Sequence, residues 1–200
     1  MVKAHFENQI QNWLNDQNTR QFLHVRGNLV NIAFHHLVRW YPQISNEGKD
    51  TYGLHVIEKL ENWKITQRAI KSFMSELLNR QPNSKVELNN LFKQLTHPEH
   101  NISVDRMKSI LLALQDPTIE DVQNCLNNNY GVILISIEEK NVLNGNPRKM
   151  YQIDGQLVPG AGLRVNGDAN ERMEAIGAEI DPDKHQNLID YLNKYFGHLF

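Results

Sequence analysis

Five residues, His24, Asn28, Asn31, His35 and Arg39, recur at spacings of four, three, four and four within an otherwise apolar stretch. On a continuous helix that spacing sets all five on one face. Phe22, Val25, Leu29, Ile32, Ala33 and Trp40 lie opposite, and Leu23, Val30 and Phe34 widen the apolar arc. The expected element is a helix over 20–41 that buries most of its circumference and keeps a narrow polar stripe for a partner. Amides, imidazoles and a guanidinium can meet phosphates, base edges or a protein backbone without burying an unpaired carboxylate. Arg26, Arg68 and Lys71, with Arg20, Lys64 and the aromatics Trp40, Tyr41 and Trp63 nearby in sequence, extend this into a candidate basic surface of the kind that takes single-stranded nucleic acid. Glu58, Glu61 and Glu76 interrupt it, so scattered surface charge is the competing explanation.

The fragment closest to catalysis is Ile137-Glu138-Glu139-Lys140, which follows the apolar run Val132-Ile133-Leu134-Ile135-Ser136. If the strand continues through it, Glu138 and Lys140 share one face. That Glu-x-Lys spacing resembles half of the PD-(D/E)xK nuclease pattern, which implies carboxylates holding a divalent metal that activates water and a lysine that steadies the transition state. The resemblance covers only these residues. The earlier metal-binding aspartate it implies belongs on an adjacent strand, whereas Asp121 falls in an expected helix and Asp116 in the turn before it.

Other constellations are less specific. His97-Pro98-Glu99-His100 brings two histidines together, but its proline argues for a loop, no cysteine supports the cluster, and no metal is expected. Pro159-Gly160-Ala161-Gly162 lacks the third glycine and the following helix of a phosphate-binding loop and reads as a tight turn between strands. Cys125 lies near the apolar side of its helix and is expected to be a buried, inert thiol. A helix-turn-helix over 103–130 would present Glu120 and Asp121 at the end meant for DNA, where like charge repels phosphate. No nucleophile elbow, P-loop or zincin helix occurs, and no cofactor is expected.

The elements that must position these residues divide into two regions. From Phe6 to about Leu114 apolar residues recur at helical spacing, which predicts helices over 4–15, 20–41, 51–80 with a break near Trp63, 84–96 and 103–114. Ser84-Lys85-Val86-Glu87 has capping-box form, and Thr118 with Asp121 repeats it ahead of a helix over 118–129. Asn127 to Gly131 supplies residues that tolerate a left-handed stop. Val132–Ile137 then reads as a central strand covered on both faces. Short extended pieces are expected at 149–153, 156–158 and 162–166, a short helix from Asp168, and a last helix opened by Asp181-Pro182. The fold class is therefore α+β: a helical region over 1–115 packed on a small α/β region over 116–200, without a flexible linker.

Composition sets the bounds. The chain of 200 residues is 40 % hydrophobic and 22 % charged, ordinary globular usage with enough chain to bury a core. A single cysteine allows no intrachain disulfide, and the polar start lacks a signal-peptide core, so cytoplasm is the expected compartment and no membrane partner is expected. Residues 1–108 carry 14 Lys+Arg against 10 Asp+Glu, and residues 109–200 carry 7 against 13. That asymmetry is too mild for a dedicated nucleic-acid domain. The leading expectation is a non-enzymatic binding or regulatory protein presenting the 20–41 surface to a protein or nucleic-acid partner. The alternatives are a metal-dependent nuclease or phosphodiesterase using Glu138 and Lys140, and a subunit of a larger assembly, for which a large exposed apolar patch would speak.

Overall fold

The computed structural model describes residues 2–44, 53–162 and 169–200. The fold is α+β and mostly helical, with a small mixed sheet at its centre. Helix α1 spans Val2–Asn15 and α2 spans Gln17–Arg20, the latter opened by Asp16, whose side chain accepts from the Asn18 amide. Helix α3 runs only from Leu29 to Trp40 and continues into a 3₁₀ turn over Tyr41–Gln43. The break expected near Trp63 is real. Helix α4 (Val56–Asn62) ends there, strand β1 (Lys64–Ile65) follows, and Thr66 caps α5 (Gln67–Arg80). Gln81 closes α5 in the left-handed region at φ 44°. Ser84 then caps α6 (Lys85–Leu95), its side chain accepting from the Glu87 amide.

Strand β2, Thr96–His100, replaces the loop expected at His97-Pro98-Glu99-His100. Proline has no amide to give to a ladder, which confines it to sheet edges. β2 is such an edge, because the sheet order is β1-β3-β2. The first half of the chain thus contributes two strands that helical periodicity did not reveal. Helix α7 (Val104–Ala113) and α8 (Ile119–Asn129) follow, α8 opened by the Thr118–Asp121 capping box. The chain leaves α8 through Tyr130 in an extended conformation, φ −128°, so the expected left-handed stop is not used.

Strand β3, Val132–Ser136, is the central strand, parallel to β1 and antiparallel to β2, and all five of its residues are buried. Ser136 caps α9 (Ile137–Leu143), so the strand ends one residue earlier than expected. β4 (Met150–Ile153) and β5 (Gln156–Pro159) form a hairpin whose turn residues Asp154 and Gly155 both have positive φ. That is the backbone a two-residue hairpin turn demands. The short helix α10 spans Ala169–Glu174, and α11 (Pro182–Phe196) is capped by Asp181 with proline in its first turn. The extended piece expected at 162–166 and the helix start at Asp168 lie, beyond Gly162, outside the described residues.

Three apolar clusters hold these elements. Ile65, Phe73, Phe92, Leu134, Leu188 and Leu192 belong to the first, Ile10, Leu23, Phe34, Val38, Met107 and Leu126 to the second. Residues on both sides of position 115 enter each. Ile133 and Ile135 point to the third, with Val142, Leu143, Ile153 and Ile176. Apolar packing on both faces is why β3 reads as a continuous apolar run.

Gly160 and Gly162 lie against the end of α9 and the residues just beyond it, where the Ala161 amide donates to the Val142 carbonyl at 2.8 Å and the Gly162 amide to the Gly145 carbonyl at 2.9 Å. The strand expected to follow this turn lies, beyond Gly162, outside the described residues. A Cβ at Gly160 would lie 2.4 Å from the Gly145 carbonyl carbon. Two backbone segments cannot yield as a flexible side chain does. Gly160→Ala is therefore expected to cost about 2–3 kcal/mol, read as a lowered urea midpoint, while Gly131→Ala, with open space around it, stays within about 1 kcal/mol.

Candidate interaction surface

The segment expected to form one helix over 20–41 is interrupted, and the interruption decides what it presents. Residues 21–27 make successive tight turns, including Phe22 N–H to Thr19 C=O at 2.9 Å and Val25 N–H to Phe22 C=O at 3.1 Å. Gly27 takes φ +83°, which a β-carbon disfavours. Asn28 then opens α3 as its N-cap, its side-chain oxygen accepting from the Val30 amide at 2.8 Å. This breaks the helical phase linking residues 22–25 to 29–40.

The outcome splits the expected apolar side. Leu23, Phe34 and Val38 enter the core. Phe22, Val25, Leu29, Ile32 and Trp40, all expected to be buried, are 39, 42, 81, 43 and 42 % exposed, and Ala33 is exposed among them. The expected polar stripe meanwhile disperses. His24 is exposed on the turns, beside a groove shared with Gln17, Arg20, Gln21 and Leu112. Asn28 is spent on capping. Asn31 turns inward, its amide donating to the Leu23 carbonyl and its oxygen accepting from Lys108 Nζ at 3.2 Å. His35 Nδ1 lies 3.5 Å from Asp105 Oδ1, and burial holds its pKa below the ordinary imidazole value despite that carboxylate. Arg26 and Arg39 are exposed, and Arg39 lines a depression of about 360 Å³ with His36, Trp40 and Gln43.

The wider basic surface does not assemble either. Arg20 donates to the carbonyls of Leu14, Leu112 and Leu114 at 2.8, 2.8 and 2.6 Å, closing the ends of α1 and α7. Arg68, on α5, donates to Asp154 at 2.5 Å, to the Ile176 and Gly177 carbonyls at 2.6 and 2.9 Å, and to Glu139 at 3.5 Å. Lys71 is exposed on the same helix, 3.9 Å from Asp154, along a groove of about 470 Å³ that also holds Asp154, Glu179 and Lys184. Of the residues expected to bind a partner, His24, Arg26, Arg39 and Lys71 are exposed, Asn28, Asn31 and His35 are engaged by neighbouring groups, and Arg68 is built into the fold.

The strand face expected to join Glu138 and Lys140 is corrected. Glu138 and Lys140 occupy the first turn of α9, where residues two apart diverge around the axis and share no face. Glu138 accepts from the Asp154 amide at 3.0 Å. Asp121 is held by Thr118 in the α8 capping box, which keeps its carboxyl below the usual range. The fully buried neighbour, Glu139, is the structural carboxylate: it accepts from Thr66 Oγ1 at 2.6 Å and the Ser136 amide at 2.7 Å.

A titratable cluster that sequence reasoning did not assemble lies along β2. Arg172, 3 % exposed, donates to Glu99 at 2.6 Å, and His97 Nε2 lies 3.8 Å from the other Glu99 oxygen. Burial raises the Glu99 pKa. Burial likewise pushes His97 and His100 down to about 4, with Lys140 cationic near the first and Arg39, Arg172, His35 and His97 near the second. His100 stacks on Tyr130 with ring centres 5.2 Å apart. His97 and Glu99 lie close in sequence, but Arg172 arrives from 73 residues away on a six-residue helix and leaves no local signal. Cys125 is buried, and burial raises its thiol pKa, so it packs rather than reacts.

Among the described residues no three His, Cys, Asp or Glu side chains converge as a metal cluster would, and no helix is long and apolar enough to cross a membrane. No protein family, curated protein or solved structure matches the chain.

Proposed function

We propose that this chain is a binding module that docks a protein partner through the exposed surface of residues 22–40. The observation that carries the reading is the outward apolar row Leu29, Ile32, Ala33 and Trp40 on a helix anchored by buried Phe34 and Val38, with exposed Arg26 before it and exposed Arg39 near its end. Singly exposed apolar residues are ordinary, but an apolar row rimmed by polar groups marks an interaction site. A protein is favoured over nucleic acid because Arg20, Arg68 and Lys108 are engaged within the fold, and the apolar row offers nothing to phosphate. With one cysteine and no need of an oxidising milieu, the cytoplasm is the compartment proposed. The same patch serves a subunit of a permanent assembly, which would copurify in stoichiometric amount.

Site-specific photo-crosslinking in the source cells tests the reading. A benzophenone amino acid at Leu29 or His36 is expected to give a discrete heavier adduct, whereas the same probe at exposed Leu78 on α5 gives none. Ile32→Asp removes the adduct while moving stability by no more than about 0.5 kcal/mol, as befits a surface position. Equal labelling from all three sites would sink the proposal.

A further inference from the structure

We infer that the element received by this surface is an amphipathic α-helix with an apolar stripe and carboxylates along its margins. The inference rests on the docking reading above and adds the chemistry of what docks. Helices pack by placing a side chain of one into a hole made by four residues of the other, at positions i, i+3, i+4 and i+7. On α3, Leu29, Ile32, Ala33 and His36 form one such quartet, and all four are exposed. Ala33, His36, Leu37 and Trp40 form the next, with Leu37 half-buried as its floor. Ala33 belongs to both holes, and its small side chain leaves each of them open. Two consecutive holes along twelve residues, roughly 18 Å of helix, suit a partner helix of about three turns.

Charge fixes the margins. Between Gln17 and Ile44 the sequence holds Arg20, Arg26, Arg39 and three histidines, and no Asp or Glu. Arg20 is consumed by backbone carbonyls, which leaves Arg26 beyond one end of the row and Arg39 at the other. Arg39 lines the depression with His36, Trp40 and Gln43, where a carboxylate can take a two-pronged guanidinium contact beside an aromatic wall. A second copy of this chain fits poorly, because a twofold arrangement sets Arg26 and Arg39 of one copy against those of the other. An extended strand fits no better, since α3 offers no open backbone edge.

The test uses the purified full chain and three stapled helical peptides of about 14 residues, followed by fluorescence anisotropy. One has leucines at heptad spacing with glutamates at the margins, the second replaces every glutamate by lysine, and the third scrambles the acidic sequence. The acidic amphipathic peptide is expected to bind at least about tenfold tighter than the other two. Ala33→Gln, which fills both holes at an exposed position with a good helix former, weakens it about tenfold, and Leu29→Ser is a second variant acting at the first hole. Arg39→Glu inverts the preference between the acidic and basic peptides. Equal binding of the three peptides, or indifference to both hole variants, overturns the inference. So does a dimer of the chain abolished by Ala33→Gln, or salt-sensitive capture of a labelled single-stranded oligonucleotide lost with Arg39→Glu. Crosslinked adducts at Leu29 and His36 without peptide selectivity would leave the docking reading standing and remove only the helix, whereas loss of both removes both.

Discussion

Lowering the pH from 7 to 5 is expected to destabilise the protein by about 2–3 kcal/mol through His97 and His100 alone. Both imidazoles are held at about 4 in the fold by burial, against an ordinary value of 6.5. A histidine whose folded pKa lies below its unfolded value contributes stability that is complete above about 6.5. That contribution is lost as the pH falls toward 4, because the unfolded chain takes up protons that the fold refuses. Full linkage over this window gives somewhat less than 2 kcal/mol for each histidine, and the side chain of His97, 33 % exposed, is discounted for solvent screening. The charges facing these rings reinforce the direction: Lys140 near His97, and Arg39, Arg172 and His35 near His100. Glu99 acts in the opposite sense, since its raised pKa favours the fold as its carboxyl protonates, so it moderates the loss toward the acid end. Urea unfolding at pH 7 and pH 5 measures the difference, and the double variant His97→Asn with His100→Asn should flatten it. Coincident midpoints for the parent at the two pH values would show that the rings titrate normally.

The second large effect is expected at Arg68, where replacement by methionine should cost about 3–5 kcal/mol. Glu139 is fully buried, and Arg68 supplies its cationic partner while tying α5 to the hairpin turn at Asp154 and to the carbonyls of Ile176 and Gly177. Without the guanidinium, the carboxylate keeps, among the described residues, the Thr66 hydroxyl and the Ser136 amide. Adding Glu139→Gln to Arg68→Met should recover part of the loss, because the remaining polar group is then neutral. A chemical-denaturation cycle over the four proteins reads both numbers, and a cost below about 1 kcal/mol would mean that Glu139 is satisfied without the arginine. The result bears on function too. Any loss of partner binding in an Arg68 variant reports a damaged scaffold, whereas a loss in Arg39 variants reports the surface.

Several elements were legible in advance because their signals are local. The capping boxes at Thr118–Asp121 and the Ser84 cap place helix starts by satisfying amides within three residues. The break near Trp63 and the apolar run Val132–Ile135 were legible for the same kind of reason, as was the Asp181-Pro182 start of α11. Strand β2 was not. His97-Pro98-Glu99-His100 has neither alternation nor β-branched residues, and it is extended because β3 lies beside it and supplies the ladder.

The interaction surface divides along the same line. By itself the sequence determined that residues 20–41 carry apolar groups around most of a helix circumference, that no acidic residue lies among them, and that Arg26 and Arg39 lie within the stretch. Which apolar set is buried was decided by tertiary structure. Leu23, Phe34 and Val38 and the set Phe22, Leu29, Ile32 and Trp40 are equally hydrophobic on paper. Gly27 and the Asn28 cap reset the helix phase, and α1, α7 and α8 supply the core that accepts only the first set. Periodicity reports how apolar residues are spaced around an axis, but the neighbouring elements choose which side of that axis faces water.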